Sequence, residues 1–257
     1  MSDEKQSLPT LGVVGFGAFG RLMTDHLRRH FQVLVYDPVP PDVEQMDGVT
    51  ATGLAAAAGA SVVVLATPVS TFASVIDAIR PYLRPGVLVL DVGSVKVVPA
   101  DIMRRFLPPH VDIVATHPLF GPQSARNGLE NLKIALCPIQ GGRVFRVAAF
   151  LRKAFNLKVI VTTPEAHDHE AAIAQGLTHL IAKVLVRMEP LPSRMTTKSF
   201  DLLVQAIEMV RHDAPEVFQA IERSNPYSRQ VRRRFFDLAA ELDAEIERSL
   251  PGDVAAS

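Results

Sequence analysis

A doubly wound α/β sheet followed by an all-helical region is the architecture this 257-residue sequence predicts, and three observations predict it. The run Leu11-Gly-Val-Val-Gly15-Phe16-Gly17-Ala18-Phe19-Gly20 reads as a buried strand breaking into glycines and opening a helix. From there to residue 163, short continuously apolar runs alternate with helical stretches, as strands buried on both faces of a largely parallel sheet require. After Pro164 the alternation stops and only helical periodicity remains.

Strands are expected over 10–14, 33–36, 61–66, 87–91, 112–115, 134–138 and 158–161, with helices over 20–30, 71–83, 100–107 and 143–154. The alanine-rich stretch 50–69 is apolar enough to suggest a membrane span, but Gly53, Gly59, Ser61 and Pro68 divide it into a short helix and a strand. Pro164-Glu165 has the form of a helix start, and apolar residues recur at helical spacing from 166 to 187. Further helices are expected over 198–211, 215–223 and 227–248, with a loop at 189–194. The predicted division is a nucleotide-binding Rossmann domain (1–163), a helical domain (164–250) and a disordered tail (251–257). A helical domain of about ninety residues buries little core alone, so a homodimer through it is expected.

Composition excludes several classes. Lysines and arginines number 27 against 27 aspartates and glutamates, so no net charge draws the chain to nucleic acid or an anionic membrane. Cys137 is the one cysteine, which rules out a disulfide framework and fits a reducing cytoplasm. Residues 1–9 are polar and lack the apolar stretch of a signal peptide.

The glycines carry the first functional reading. Gly15 makes the tight turn, Gly17 lets a pyrophosphate approach the backbone, and Gly20 lets the helix pack on the strand. The pyrophosphate then meets the unpaired N–H groups of the helix N-terminus, and Phe16, Ala18 and Phe19 count with the glycines among the expected cofactor-binding residues. Asp37 closes the next strand, where its carboxylate accepts ribose hydroxyls and repels a 2′-phosphate; the expected cofactor is therefore NAD. Ligands of such sheets collect beyond the carboxyl ends of the strands. Ala66-Thr67-Pro68 leaves one such end beside the cofactor, Asp91-Val-Gly93-Ser94-Val-Lys96 a second, and Thr116-His117-Pro118-Leu-Phe-Gly121-Pro122 a third. Proline after His117 holds its backbone extended, which fixes an imidazole able to take a hydroxyl proton during hydride transfer. Ser94 supplies a hydroxyl for the imidazole or for a substrate oxygen. From spacing alone, a structural histidine in a proline turn is an equal alternative.

Those loops, followed by His167-Asp168 and Gln175-Gly-Leu-Thr178-His179, resemble the prephenate/arogenate dehydrogenase family in order and spacing over nearly the whole chain. The resemblance implies oxidation of a cyclohexadienol with hydride passing to NAD, loss of the ring carboxylate as CO2, and a place in tyrosine biosynthesis. It implies that His117 is the catalytic histidine, that Ser94 assists it, that Gln175 and His179 line the substrate cavity, and that Asp168 and its neighbours sit at the cavity rim. Many bacterial members grip a substrate carboxylate with an arginine five residues before an Asp-Pro pair; here Glu208 stands at that offset from Asp213-Ala214, as in the plant-type branch. Arg126, Lys198, Arg211 and Arg229 are the candidate replacements. In that branch the residue ten positions after the catalytic histidine resembles a selector, aspartate going with the ammonium of arogenate and asparagine with the ketone of prephenate. Asn127 therefore implies prephenate, with arogenate as the alternative.

Other constellations have plainer readings. His167, Asp168 and His169 do not share a helix face and find no cysteine nearby, so no metal site is expected. His26 and His30 decorate a surface helix, Arg232-Arg233-Arg234 a solvated face, and Met188, Met195 and Met209 fill core. A catalytically silent dinucleotide-binding protein would not need Ser94 and His117 together. A 3-hydroxyacid dehydrogenase could use Lys183 but leaves the Thr-His-Pro loop unexplained.

Overall fold

The computed structural model describes residues 8–249; the expected tail at 251–257 and most of the polar N-terminal stretch lie outside it. Eight strands form one sheet: β1 (Thr10–Val14), β2 (Gln32–Tyr36), β3 (Val49–Ala51), β4 (Val62–Leu65), β5 (Leu88–Asp91), β6 (Asp112–Pro118), β7 (Lys133–Gln140) and β8 (Lys158–Val161). Their spatial order is β3-β2-β1-β4-β5-β6-β7-β8. All pairs are parallel except β6–β7, so the sheet reverses once, just beyond His117. The chain switches direction across the sheet between β1 and β4, the place where a doubly wound fold opens its crevice.

Seven expected strands are present; β3 was not expected. It is three residues long, at the sheet edge and without a buried side chain, so it carries no apolar run to read. The first helices are α1 (Ala18–Leu27), α2 (Leu54–Ala58), α3 (Phe72–Ile79), α4 (Val97–Phe106), the one-turn α5 (Pro122–Ala125) and α6 (Val144–Phe155). On one face of the sheet, α2, α3 and α4 bury Ala58, Phe72, Ile76, Ile79 and Met103 against Val63, Leu65, Val89 and Ile113. Each fully buried aliphatic or aromatic side chain there contributes about 1.5–3 kcal/mol. On the other face α1 and α6 pack on opposite halves of the sheet. Between them, over β4 and β5, an apolar cavity of about 350 Å³ is lined by Met23, Leu27, Val64, Leu90 and Phe150.

Among the described residues after β8 the regular elements are all helical: α7 (Pro164–Ala171), α8 (Leu177–Arg187), α9 (Lys198–Val210), α10 (Pro215–Gln219) and α11 (Ser228–Ser249). Thr163 caps α7 through its hydroxyl, which accepts from the Ala166 N–H, and Pro164 takes the first-turn position that needs no donor. The continuous helix expected over 166–187 is interrupted by a π-turn at Ala172–Gly176, which contains Gln175. Wider turns of this kind recur at functional sites.

Two further expectations fail. Met188, Met195 and Met209 are 63%, 82% and 49% exposed, because the helical layer is too thin to surround them. His26 and His30 are half-buried and meet the rings of Phe150 and Phe155 edge-on, joining α1 to α6 rather than facing solvent.

Candidate active site

At the end of β1 the chain turns through Gly15 with φ +102°, a conformation that side chains resist, and a Cβ there would strike the Ala66 carbonyl. A Cβ on Gly20 would strike the Gly15 carbonyl, so α1 can approach the strand only with glycine at that position. Gly17 is different: nothing lies within 4 Å of where its Cβ would be. It is also the N-cap of α1 and offers no side chain, so the first N–H groups of the helix, at Ala18 and Phe19, stay open to an anion. Asp37 is tied to this turn, accepting from the Phe16 N–H at 2.7 Å and from the Val39 N–H at 2.9 Å. Thr67 lies against Gly15, and its hydroxyl is buried without a partner; Pro68, beside it, is exposed. An open glycine cradle, a helix N-terminus, a fixed carboxylate and an orphaned hydroxyl are what a dinucleotide needs, so these residues fit the expected cofactor.

Two strands away the construction is side-chain built. Asp91, at the end of β5, is fully buried. Its carboxylate accepts from the Thr116 N–H at 3.1 Å, from the Gly93 N–H at 2.9 Å and from the Lys96 ammonium. Lys96, equally buried, also donates to the Thr116 carbonyl at 2.6 Å. This ion pair anchors the loop after β5 to the last residues of β6 and thereby sets the backbone of His117.

His117 is 3% exposed, and its Nδ1 lies 2.8 Å from Nε2 of His167. The other nitrogen of that ring, Nδ1, lies 2.8 Å from Asp168 Oδ1. Asp168 in turn accepts from the backbone N–H groups of Lys96 (2.7 Å) and Val97 (2.9 Å), capping α4 from another helix. Asn225 donates to the Asp168 carbonyl at 2.7 Å and fixes α7 from the far side. Burial, then the neighbouring His167 and Lys96, hold the His117 imidazole well below its ordinary pKa, so it is neutral at neutral pH. Its Nε2 makes no hydrogen bond among the described residues.

Of the two expected partners of Ser94, the His117 imidazole is not bonded to it; Ser94 is half-buried and makes no hydrogen bond within the described residues. His167 and Asp168, expected at a cavity rim, are instead buried, at 6% and 0% exposure. Their link to His117 spans fifty residues of sequence and has no local spacing to announce it. The signal that could have found them is an adjacent His-Asp pair in the first turns of a helix that packs on α4.

A second cluster faces the loop after His117. His179, 3% exposed on α8, places Nε2 3.7 Å from Asp213 Oδ2. The other oxygen of Asp213 approaches Gly121, 3.8 Å from the position of a Cβ there. Lys183 lies one turn beyond His179, its ammonium 5.7 Å from the centre of the Phe218 ring. Burial, aided by Lys183, brings His179 down to about 4, and burial pushes the Asp213 carboxyl up. Gln175 Oε1 is buried and unpartnered. Among the candidate cations, Arg211 is held by Glu189 and Glu208, while Arg126, Lys198 and Arg229 are exposed. Asn127 is exposed and makes no hydrogen bond among the described residues. Phe19 and Phe120 meet at 6.2 Å between ring centres, joining the glycine turn to the loop that carries His117.

The fold and the strand-end site define a nucleotide-binding dehydrogenase of the doubly wound class with a helical extension. Residues 42–161 match the family described as prephenate dehydrogenase, nucleotide-binding domain. Arogenate dehydrogenase 2, chloroplastic, of Arabidopsis thaliana is 29% identical over 92% of this chain and 69% of its own length. A probable arogenate/prephenate dehydrogenase of Methanocaldococcus jannaschii is 28% identical over 78% of this chain, which spans 47% of that protein. Among solved structures, prephenate dehydrogenase from A. aeolicus in complex with hydroxyphenyl propionate and NAD+ superposes with a TM-score of 0.73 at 22% identity, covering 95% of this chain and 93% of that one. Residues 42–161 thus match a nucleotide-binding domain of prephenate dehydrogenases, and the chain as a whole is similar to arogenate and prephenate dehydrogenases, which are oxidoreductases.

Proposed function

We propose that the protein oxidises and decarboxylates prephenate to 4-hydroxyphenylpyruvate with NAD, in tyrosine biosynthesis. The observation that carries this reading is His117: a neutral imidazole at a strand end, one nitrogen anchored and the other free. Gly15, Phe16, Gly17, Ala18, Phe19, Gly20, Thr67 and Pro68 would hold the dinucleotide, with Asp37 on its ribose. When bound, the nicotinamide accepts the hydride that leaves the ring carbon bearing the hydroxyl. Nε2 of His117 takes the hydroxyl proton as that C–O bond becomes a carbonyl. Loss of CO2 returns the carboxylate bond pair to the ring, and His117 gives its proton back to the phenolate oxygen. Atoms and charge then balance with no net proton, and aromatisation drives the step, so the protein mainly orients one ring. Ser94, free of protein partners, is left to bond the substrate oxygen, with Gln175 and His179 lining the far wall.

Asn127 supports prephenate. A second reading, arogenate, is favoured by Asp213, a half-buried carboxylate beside Gly121 with Lys183 near it, a pair able to receive an ammonium and a carboxylate together. Steady-state rates on both substrates, each with NAD and NADP, test the whole reading. Prephenate with NAD should give the highest kcat/KM, and no NADH from either substrate would end it.

A homodimer through the helical region is supported by Leu238, Leu242 and Ile246, an apolar stripe on α11 at 45–57% exposure. A clean monomer in sedimentation at micromolar concentration would contradict it. A reducing compartment such as the cytoplasm suits a single buried thiol, which burial raises to about 12; the Arabidopsis relatives are named chloroplastic.

A further inference from the structure

We infer that His167 and Asp168 are positioning residues that hold His117 in the one tautomer able to act as a base. The inference rests on the reading of His117 given above and adds the groups that determine which of its nitrogens is free.

The direction of the chain follows from donors and acceptors. Asp168 accepts two backbone N–H bonds at the start of α4, so its carboxylate is surrounded by donors. Facing it, His167 Nδ1 must carry a proton, which makes Nε2 of a neutral His167 an acceptor. His117 then donates from Nδ1 to that acceptor, and its own Nε2 is left as a lone pair. Reversing one bond reverses all of them: an Nε2–H on His167 would force the proton of His117 onto the nitrogen that should receive one. The same arrangement steadies the imidazolium that forms when the hydroxyl proton arrives. His167 accepts from it, and Asp168 polarises His167 in turn.

The other charged groups near His117 do not compete for this role. Lys96, in the loop before α4, spends its ammonium on Asp91 and the Thr116 carbonyl. Asp91, at the end of β5, faces Lys96, the Thr116 N–H and the Gly93 N–H. Among the described residues, α7 alone supplies an acceptor to the ring itself. The logic is that of a carboxylate fixing the tautomer of a catalytic histidine, with a second imidazole interposed.

Two variants of His167 separate a positioning role from mere packing. Gln can donate to Asp168 and accept from His117; Leu fills space and does neither. His167→Leu should lower kcat by about 10²–10³-fold while KM moves by less than about threefold. His167→Gln should return kcat to within about tenfold of the parent. Equal loss in the two variants, or an undiminished kcat in His167→Leu, would overturn the inference. Nitrogen-15 NMR of histidine-labelled enzyme gives a readout independent of turnover. Nδ1 of His117 should be protonated in the parent and Nε2 protonated in Asp168→Asn, whose amide can present a donor to His167. An Nε2–H tautomer in the parent would overturn the inference even if prephenate is turned over. Conversely, the expected tautomer in a protein that oxidises neither substrate would remove the reaction and leave the hydrogen-bond chain standing.

Discussion

The glycine turn and the His117 centre sit at strand ends of one sheet, the first on β1 and the second on β5 and β6, yet they are built in opposite ways. The turn is a backbone device. Its working parts are open N–H groups at Gly17, Ala18 and Phe19, and its residues were selected for what they lack. The His117 centre is a side-chain device in which Asp91, Lys96, His117, His167 and Asp168 are all at most 6% exposed. Solvent can rescue a defect at the first; at the second, each group removed strands its neighbour in a medium where unpaired charge is costly. Damage to the two should therefore differ in kind: affinity at the turn, turnover and stability at the centre.

The largest effect expected is on catalysis. His117→Asn removes the proposed base but keeps a polar group of similar size, and kcat should fall by about 10²–10⁴-fold, roughly 3–5 kcal/mol on the barrier. Binding of NAD, followed by fluorescence titration, should be nearly intact because the glycine turn is untouched. Undiminished turnover would remove His117 from the chemistry.

Lys96→Met is next, and its effect is on stability. It leaves Asp91 fully buried with two N–H donors and no cation, a loss of about 3–5 kcal/mol. Melting should drop by roughly 10 °C. Adding Asp91→Asn to Lys96→Met should recover much of that loss, since the stranded charge goes with it. Additive losses in the double variant would mean that the pair is not what matters.

The contrast also explains what could be read in advance. Gly15, Gly17, Gly20 and Asp37 were legible because a dinucleotide turn constrains residue types at fixed offsets along one strand–turn–helix. The seven main strands were legible because burial on both faces leaves uninterrupted apolar runs, whereas the exposed β3 left none. His117 was legible through its prolines. His167 and Asp168 were not, since their partners lie 50 and 72 residues away and only the docking of α7 on α4 joins them. The methionines misled for a related reason. An apolar residue at helical spacing reads as core whether or not a second layer exists to cover it, and Met195 at 82% exposure has none.

Acid should sharpen the distinction. His179 titrates at about 4 in the folded protein against an ordinary 6.5. Between those values the unfolded chain binds a proton that the folded chain refuses, so stability present above pH 6.5 is lost as pH falls toward 4. The window amounts to about 3 kcal/mol for this one group. Calorimetry from pH 7.5 to 4.5 should show a falling Tm, and His179→Gln should flatten the fall by about 6–9 °C. His117, lowered in the same direction, adds to the slope. An identical slope in His179→Gln would mean that the histidine is already solvated.

The smallest effect expected is at Asn127. Asn127→Asp places a carboxylate at the position that the resemblance to the plant-type branch implies is a selector, and on the proposed reading should raise kcat/KM for arogenate relative to prephenate. Asn127 is exposed and unbonded among the described residues, so the new charge acts through water. An ion pair of that kind is worth at most about 1 kcal/mol, or roughly fivefold in the ratio. Asp213 is better placed, half-buried against Gly121 and close to Lys183. Its replacement by Asn should therefore move the same ratio in the opposite direction and further. If Asn127→Asp shifts the ratio well beyond tenfold instead, substrate must draw the loop after α5 inward and desolvate position 127. Selection would then belong to the closed loop rather than to Asp213 beside His179.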